Sequence, residues 1–472
     1  MLHIINKSLL ILIPIFCFIA FSSLSAYWVK APYDAWRIYE ILLLLTTNVL
    51  GLHLLFKEKY QIFDEKIRKI IFPLIALLAT LVFISAWQAD YSPRAFADAS
   101  LYFLLMSVCL IYANLFQHYK KITENMLACV SILPMLTLIF LPIAIWDRLQ
   151  GGISAWTQSF TNIRMLDDAL LPCLFLLWLR IGFLKRSDQL SKPKQWLLKV
   201  SIYSISTIYL LSFLFHGARA CVLAIIIGLI LSFIFHQKNK RFDFKLPVLS
   251  GLGALSLYVI YHQILPNSIG SDLARTSSSG RLDLWLKAFN TWLEHPILGV
   301  GGNHFLLQQP YTVIAHPHNI GLKFLSEWGI SACPLLGLIV LLYRQVKHKI
   351  SNVPPILLAG TVAIFVNSML SGSLLYPVSQ ITSLCVLAYT LSFCLSLNTA
   401  PSDKNSMKYL WMLLIVLFSS ILLVVHGQDI ICKDCVSIDF EGAPAFWDSG
   451  RSLHLEPYIM NNLGNPITNI KL

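Results

Sequence analysis

The chain has 472 residues, 56% of them hydrophobic and only 13% charged, with a formal net charge of +12 and a mean hydropathy of +0.67. Soluble domains carry about a quarter charged residues, so a soluble globular protein is excluded. Repeated apolar runs of about 20 residues point to an all-α polytopic membrane protein, because only helices or closed barrels satisfy their backbone in lipid. The roughly 10-residue alternating segments of a transmembrane barrel are absent from the sequence. The excess of Lys and Arg does not read as nucleic-acid binding. These residues sit in short loops, where the positive-inside rule puts them, and no basic stripe with interleaved aromatics stands out.

In chain order, thirteen candidate spans run approximately over 9–27, 37–56, 70–88, 96–116, 126–146, 166–184, 199–215, 219–236, 247–264, 319–343, 354–373, 376–397 and 409–426. Leu9 to Tyr27 is open to a signal-peptide reading. With Lys7 alone in its n-region and many spans behind it, an uncleaved first span is preferred. The gap 216–218 makes spans seven and eight either a tight hairpin or one broken helix. Alternate loops hold 22 and 12 of the Lys and Arg residues, which places the N-terminus in the cytoplasm and the loop 265–318 and the tail 427–472 on the outer side. The expected organisation is an N-terminal bundle over 1–264, a periplasmic loop over 265–318, further spans over 319–426 and a polar tail over 427–472. Two cations fall inside spans. Arg180 snorkels toward the cytoplasmic surface, whereas Lys323 lies one turn from Glu327, a pairing expected in the bundle interior.

Most of the polar chemistry collects between Leu265 and Trp328. Ser279 is positioned to cap a helix with Asp283 in its first turn. Leu282, Trp285, Leu286, Phe289 and Leu293 follow a helical period, so the helix is amphipathic and expected at the membrane surface. Arg281 at its start faces either a ligand above the bundle or lipid headgroups. Gly299, Gly301 and Gly302 form a turn without the spacing of a phosphate-binding loop, which reads first as close packing and second as a backbone contact to substrate. His316-Pro317-His318-Asn319 precedes span ten. A lone pair of histidines is a poor metal site. A histidine at a helix start suits a general base, with Asn319 orienting it. Arg219 opens span eight, where it opposes the helix dipole unless an anion is present. Arg219, Arg281, Arg275 and Arg164 are candidates for a phosphate clamp. Cys432 and Cys435 suggest a structural disulfide if the tail is outside. The other cysteines lie in apolar spans as small hydrophobes.

Taken together, Gly280-Arg281 with Trp285, the Pro296-to-Gly301 turn ending in Phe305, and His318-Asn319 followed by Leu325, Glu327 and Gly329-Ile330 resemble the O-antigen ligase and O-antigen polymerase superfamily over roughly 200–345. The resemblance implies a GT-C-like membrane glycosyltransferase of about a dozen spans. It implies transfer of glycan from undecaprenyl pyrophosphate, at the periplasmic face of the bacterial inner membrane, to an acceptor hydroxyl, with no cofactor. Carried over by position, His318 is the catalytic residue, Arg281 the loop arginine and Arg219 the helix arginine that handles pyrophosphate. The family usually sets that arginine between Ser and Gly; here the neighbours are Ala218 and Ala220. Arg275, Arg164, His316, Asn319, Glu327 and Trp285 complete the substrate-binding expectation. The acceptor is lipid A-core for a ligase, a growing glycan for a polymerase or a protein for an O-oligosaccharyltransferase. The ligase reading leads because one site-like loop is present and no large extra outer domain is evident. A multispan transporter or flippase, and a silent scaffold, are the readings from other classes.

Overall fold

The computed structural model describes residues 2–22, 24, 32–55, 65–150, 160, 162–184, 191–236, 244–264, 280–308, 315–347, 349–394, 406–431 and 446–447. Each expected span coincides with helix: α1 (Leu2–Phe21), α2 (Pro32–Leu55), α3 (Glu65–Gln88), α4 (Ser92–His118), α5 to α7 (Lys120–Ile132, Met135–Leu138, Leu141–Leu149), α8 (Ile163–Leu184), α9 (Lys192–Phe215), α10 (Arg219–His236), α11 (Lys245–Ile264), α13 and α14 (Ile320–Trp328, Cys333–Val346), α15 (Pro355–Ser368), α16 (Pro377–Cys394) and α17 (Ser406–Ile431). Between α11 and α13 lies α12 (Arg281–Glu294). Among the described residues there is no strand, and nine helical stretches are long and apolar enough to cross a membrane, with two shorter apolar helices beside them.

The differences from expectation have local causes. The fifth span breaks at Leu133-Pro134 and again before Pro142, where proline removes a backbone donor. The tenth span breaks at Gly329, whose φ of +58° is left-handed. A 3₁₀ turn, Gly329–Ala332, then restarts the chain as α14. The helix in the polar loop begins at Arg281, and Gly280, at φ +74°, takes the cap position with no side-chain cap. Ser279, Arg275 and the pair Cys432 and Cys435 lie outside the described residues.

The chain divides into two units that alternate along the sequence, one of 1–25, 115–277 and 351–393, the other of 26–114, 278–350 and 394–472. In the first, α10 packs along α15 so closely that a Cβ on Gly228 would stand 2.4 Å from the Ala359 carbonyl oxygen. Small residues at a crossing allow this approach in lipid, where no hydrophobic force drives helices together. Hydrogen bonds seal the pair: Ser232 Oγ donates to Pro355 O at 2.6 Å and His236 Nε2 to Val353 O at 3.0 Å. On α9 and α11, Leu211, Phe215, Ala254 and Tyr261 form a core that Leu141 and Ala144 of α7 complete.

In the second unit Phe103 of α4 packs on Phe418 of α17, ring centres 4.5 Å apart. Of the tail beyond α17, the described residues Phe446 and Trp447 are held here. Phe446 stacks on His426 of α17 at 4.2 Å, Trp447 Nε1 donates to His426 Nδ1 at 3.3 Å, and Arg37 Nε of α2 donates to the Phe446 carbonyl at 3.1 Å.

Candidate active site and a buried imidazole pair

In the second unit the polar loop is built down onto α13. Val300 N–H donates to Ser326 O at 3.1 Å and Gly301 N–H to Glu327 O at 2.8 Å, while Ile330 and Ser331 N–H bond back to Pro296 and Ile297 carbonyls. Such backbone-to-backbone contact leaves no room for side chains. A Cβ on Gly299 would meet the Glu327 carbonyl at 2.3 Å, and one on Gly302 would meet the Trp328 ring at 2.1 Å. The glycine turn is therefore a packing device. Gly299 also stands at φ +67°, a region that costs a residue bearing a Cβ about 1–2 kcal/mol. Gly299→Ala is expected to lose at least that much stability, read as a lower melting temperature of the purified protein. An unchanged melting temperature would mean the turn is not held against α13.

Glu327 lies at the hub. Its carboxylate accepts from the backbone N–H of Asn303 at 2.8 Å and of Phe305 at 3.4 Å, and from Lys323 Nζ. Lys323 in turn donates to both oxygens of Asp98 on α4, at 3.3 and 3.1 Å, and lies 5.4 Å from the centre of the Tyr102 ring. All three charged side chains are buried, so the expected Lys323–Glu327 pair exists with Asp98 as a third member. Beside it an apolar crevice of about 120 Å³ is lined by Val82, Tyr102, Phe103, Phe324, Trp328 and Phe418.

His304 is fixed as a neutral tautomer. Its Nδ1–H donates to Gly302 O at 2.7 Å, and Nε2 accepts from Tyr91 N–H at 3.1 Å. Burial, reinforced by the nearby Arg94 charge, lowers its pKa from 6.5 to about 4. A histidine depressed in the folded state stabilises above its unfolded pKa and loses that contribution as pH falls. Stability is thus expected to decline from about pH 6.5 to pH 4 by up to about 3 kcal/mol from this group. His304→Gln should flatten that part of a melting-temperature profile, and an unaltered profile would contradict the assignment.

The histidine pair closes the loop. His318 has a left-handed backbone, φ +53°, uncommon for a residue with a side chain although less so for histidine. Its N–H donates to His316 Nδ1 at 3.1 Å, and the two rings meet edge-on with centres 4.4 Å apart. His316 is buried. Desolvation, then the charges of His318 and Lys323, push its pKa well below the ordinary value, which keeps it a neutral acceptor. Asn319 caps α13, its side-chain oxygen accepting from Leu322 N–H at 3.0 Å; its hydrogen bond serves the helix that begins there. His318 itself is half-buried. Strained backbone held by its surroundings is a mark of functional sites.

Arg281 and Trp285 are half-buried on α12, whose Leu284 and Ala288 pack on Phe305. Its opposite face leaves Leu286, Phe289 and Leu293 exposed, as an interfacial helix requires. The second unit therefore contains His316, His318, Asn319, Glu327, Arg281 and Trp285. Arg219 and Arg164 belong to the first unit.

There α9 ends in a tight turn. Gly217 at φ +59° lets Ala218 N–H bond Phe213 O at 2.8 Å and Gly217 N–H bond Leu214 O at 3.1 Å, the double closure typical of a glycine helix end. The turn fixes His216, fully buried, with Nδ1 2.7 Å from Asp167 Oδ1 on α8. Arg164 reaches the other Asp167 oxygen at 3.4 Å. The neighbouring Asp168 points elsewhere. It accepts from Asn367 Nδ2 at 2.7 Å and Ser371 Oγ at 2.8 Å, pinning α8 to α15. Half-buried Arg219 follows the turn. Among the described residues no group of three or more His, Cys, Asp or Glu is placed to hold a metal ion.

The fold and composition define an all-α, multi-pass membrane protein. Residues 205–337 match the family model described as O-antigen ligase. The resemblance read from the sequence, to the O-antigen ligase and polymerase superfamily, is borne out over that stretch. The family indicates a glycan-transferring enzyme acting on a lipid-linked glycan and an acceptor. A search of curated proteins finds no match.

Proposed function

We propose that the chain is an O-antigen ligase-like glycosyltransferase. It moves a glycan from undecaprenyl pyrophosphate to a hydroxyl of lipid A-core at the periplasmic face of the inner membrane. The observation that carries this reading is His318, held left-handed by His316 and by the capped start of α13, inside the stretch that matches the ligase family. His318 takes the proton of the acceptor hydroxyl. That oxygen attacks the anomeric carbon, the bond from that carbon to the phosphate oxygen breaks, and the pyrophosphate leaves with the electron pair, giving inversion. Arg281 neutralises charge that develops on the leaving group. Arg219 keeps the pyrophosphate role that the resemblance gives it. In this reading no metal takes part. Asn319, His316 and Glu327 act behind the site by holding the backbone from which His318 projects, and Trp285 and Arg281 are offered by α12 to the sugar and the phosphate.

The test is complementation of a ligase-deficient strain, with lipopolysaccharide resolved on a gel. Glycan-capped lipopolysaccharide with the wild-type chain supports the ligase reading. A well-expressed chain that lengthens free glycan or glycosylates protein instead would assign the polymerase or O-oligosaccharyltransferase reaction. A transporter reading draws on the buried Asp98, Lys323 and Glu327 and on the helix break at Gly329. Against it stands the closure of that network, whose Glu327 is bonded to two loop amides. Transport of a lipid-linked glycan without transfer would favour it.

A further inference from the structure

Among the described residues of the first unit, Asp167 and Asp168 are the two buried carboxylates. They are neighbours on the apolar helix α8. A carboxylate inside a span is costly, and a buried ionic network adds little net stability over apolar packing. What the pair contributes is geometry. Successive residues of a helix point about 100° apart, so the two side chains reach different elements. Asp167 Oδ1 accepts from His216 Nδ1 at 2.7 Å. An ionised carboxylate can only accept, so Nδ1 carries the hydrogen. Asp168 accepts from Asn367 Nδ2 on α15 at 2.7 Å and from Ser371 Oγ at 2.8 Å. The same Asn367 turns its Oδ1 to Cys221 Sγ, a weak donor, 3.7 Å away. His216 and Cys221 bracket the start of α10, the one before Arg219 and the other after it. Between them the backbone is closed, with Ala218 N–H on Phe213 O at 2.8 Å and Val222 N–H on Ala218 O at 3.1 Å. His216, Cys221 and Asn367 are all buried. The first turn of α10 is therefore tied back to α8 on both sides of Arg219, through the imidazole to Asp167 and through the amide to Asp168.

We propose that Asp167 and Asp168 are positioning residues for glycan transfer, a two-armed clamp that sets the first turn of α10 and with it the direction in which Arg219 is presented. Neither carboxylate touches substrate. Each acts through a neutral intermediary, His216 in one arm and Asn367 in the other. The proposal rests on the role given to Arg219 above; the clamp itself rests on the hydrogen bonds of the two arms.

The experiment assays transfer by the full chain in membranes of the complemented strain, normalised to protein level. His216→Phe cuts the first arm and keeps a flat ring, and His216→Asn returns a donor near Nδ1. Asn367→Asp sets two carboxylates against each other in the second arm. The reciprocal swap, Asp168→Asn with Asn367→Asp, restores a donor facing an acceptor. A displacement of about 1 Å at a distance from the chemistry can cost about 100-fold. Each cut is thus expected to lower transfer about 10- to 100-fold, and each restoring variant to recover most of the loss. A role in packing alone does not predict the next result. In the Arg219→Ala background either cut should lower transfer by less than about a further twofold, because residues that act through one group are not additive. Wild-type transfer by a well-expressed cut variant overturns the proposal, and so do losses that multiply with that of Arg219→Ala. Hydrogen exchange of the purified chain gives a reading that needs no transfer. The bonded amides of Gly217, Ala218 and Val222 should exchange as slowly in the wild type as the middle of α10, and faster in either cut variant. Fast exchange in the wild type overturns the clamp even where no cut variant folds, and unchanged exchange in a folded cut variant overturns it as well. A wild-type chain that transfers no glycan sinks the enzyme reading alone, and exchange then decides the clamp by itself.

Discussion

His318→Ala is expected to lower glycan transfer by about 10²- to 10⁴-fold, the range supplied by a positioned acid or base, without loss of the protein from the membrane. The side chain is half-buried, and its backbone is already left-handed, so alanine inherits the strain without opening a core cavity. Arg281→Ala should cost about 10²- to 10³-fold, as removal of one charge-stabilising donor does, because α12 remains anchored through Leu284 and Ala288. His316 separates chemistry from positioning. Its Nδ1 accepts the His318 N–H, so His316→Asn, which offers an amide oxygen there, should retain far more activity than His316→Ala. Transfer assayed in membranes from the complemented strain, normalised to protein level, reads all four variants. Full activity in a well-expressed His318→Ala variant would remove this residue from the mechanism.

The spans were legible because lipid demands long apolar helices, and each expected span falls on helix. Their breaks were less legible. Gly329 follows Trp328 with no other local signal, and its left-handed turn follows from the Pro296–Ile297 backbone lying against it. The loop residues of the second unit stood out in the sequence because charge is rare in this chain. Asp98 and Asp167 lie inside apolar runs, away from that loop. An aspartate inside an apolar run is as costly as a lysine there, and that signal was present at positions 98, 167 and 168. Their partners could not be read, because Lys323 lies 225 residues from Asp98 and His216 lies 49 from Asp167. Periodicity reports only which face of a helix is apolar.

The buried charges of the second unit carry the second large expected effect. Lys323 holds Asp98 and Glu327 together. Lys323→Met leaves two buried carboxylates without their cation, and removing one partner of a buried pair costs about 3–5 kcal/mol. The loss should appear as lower thermal stability in detergent. The same change should also lower transfer, because Glu327 holds the Asn303 and Phe305 amides and the residue after His318, Asn319, caps α13. Replacing all three charges, Asp98→Asn with Lys323→Met and Glu327→Gln, removes the uncompensated charge. The side-chain amide then at position 327 still offers its one carbonyl oxygen to the Asn303 N–H, the shorter of the two loop bonds, so much of the stability should return. If the stable triple variant transfers glycan, the network is scaffold that sets His318 in place. If it is stable and inactive, Glu327 handles substrate, the role the sequence suggested. A Lys323→Met protein that melts like the wild type would show that the platform under His318 rests on the glycine turn and the helix cap alone.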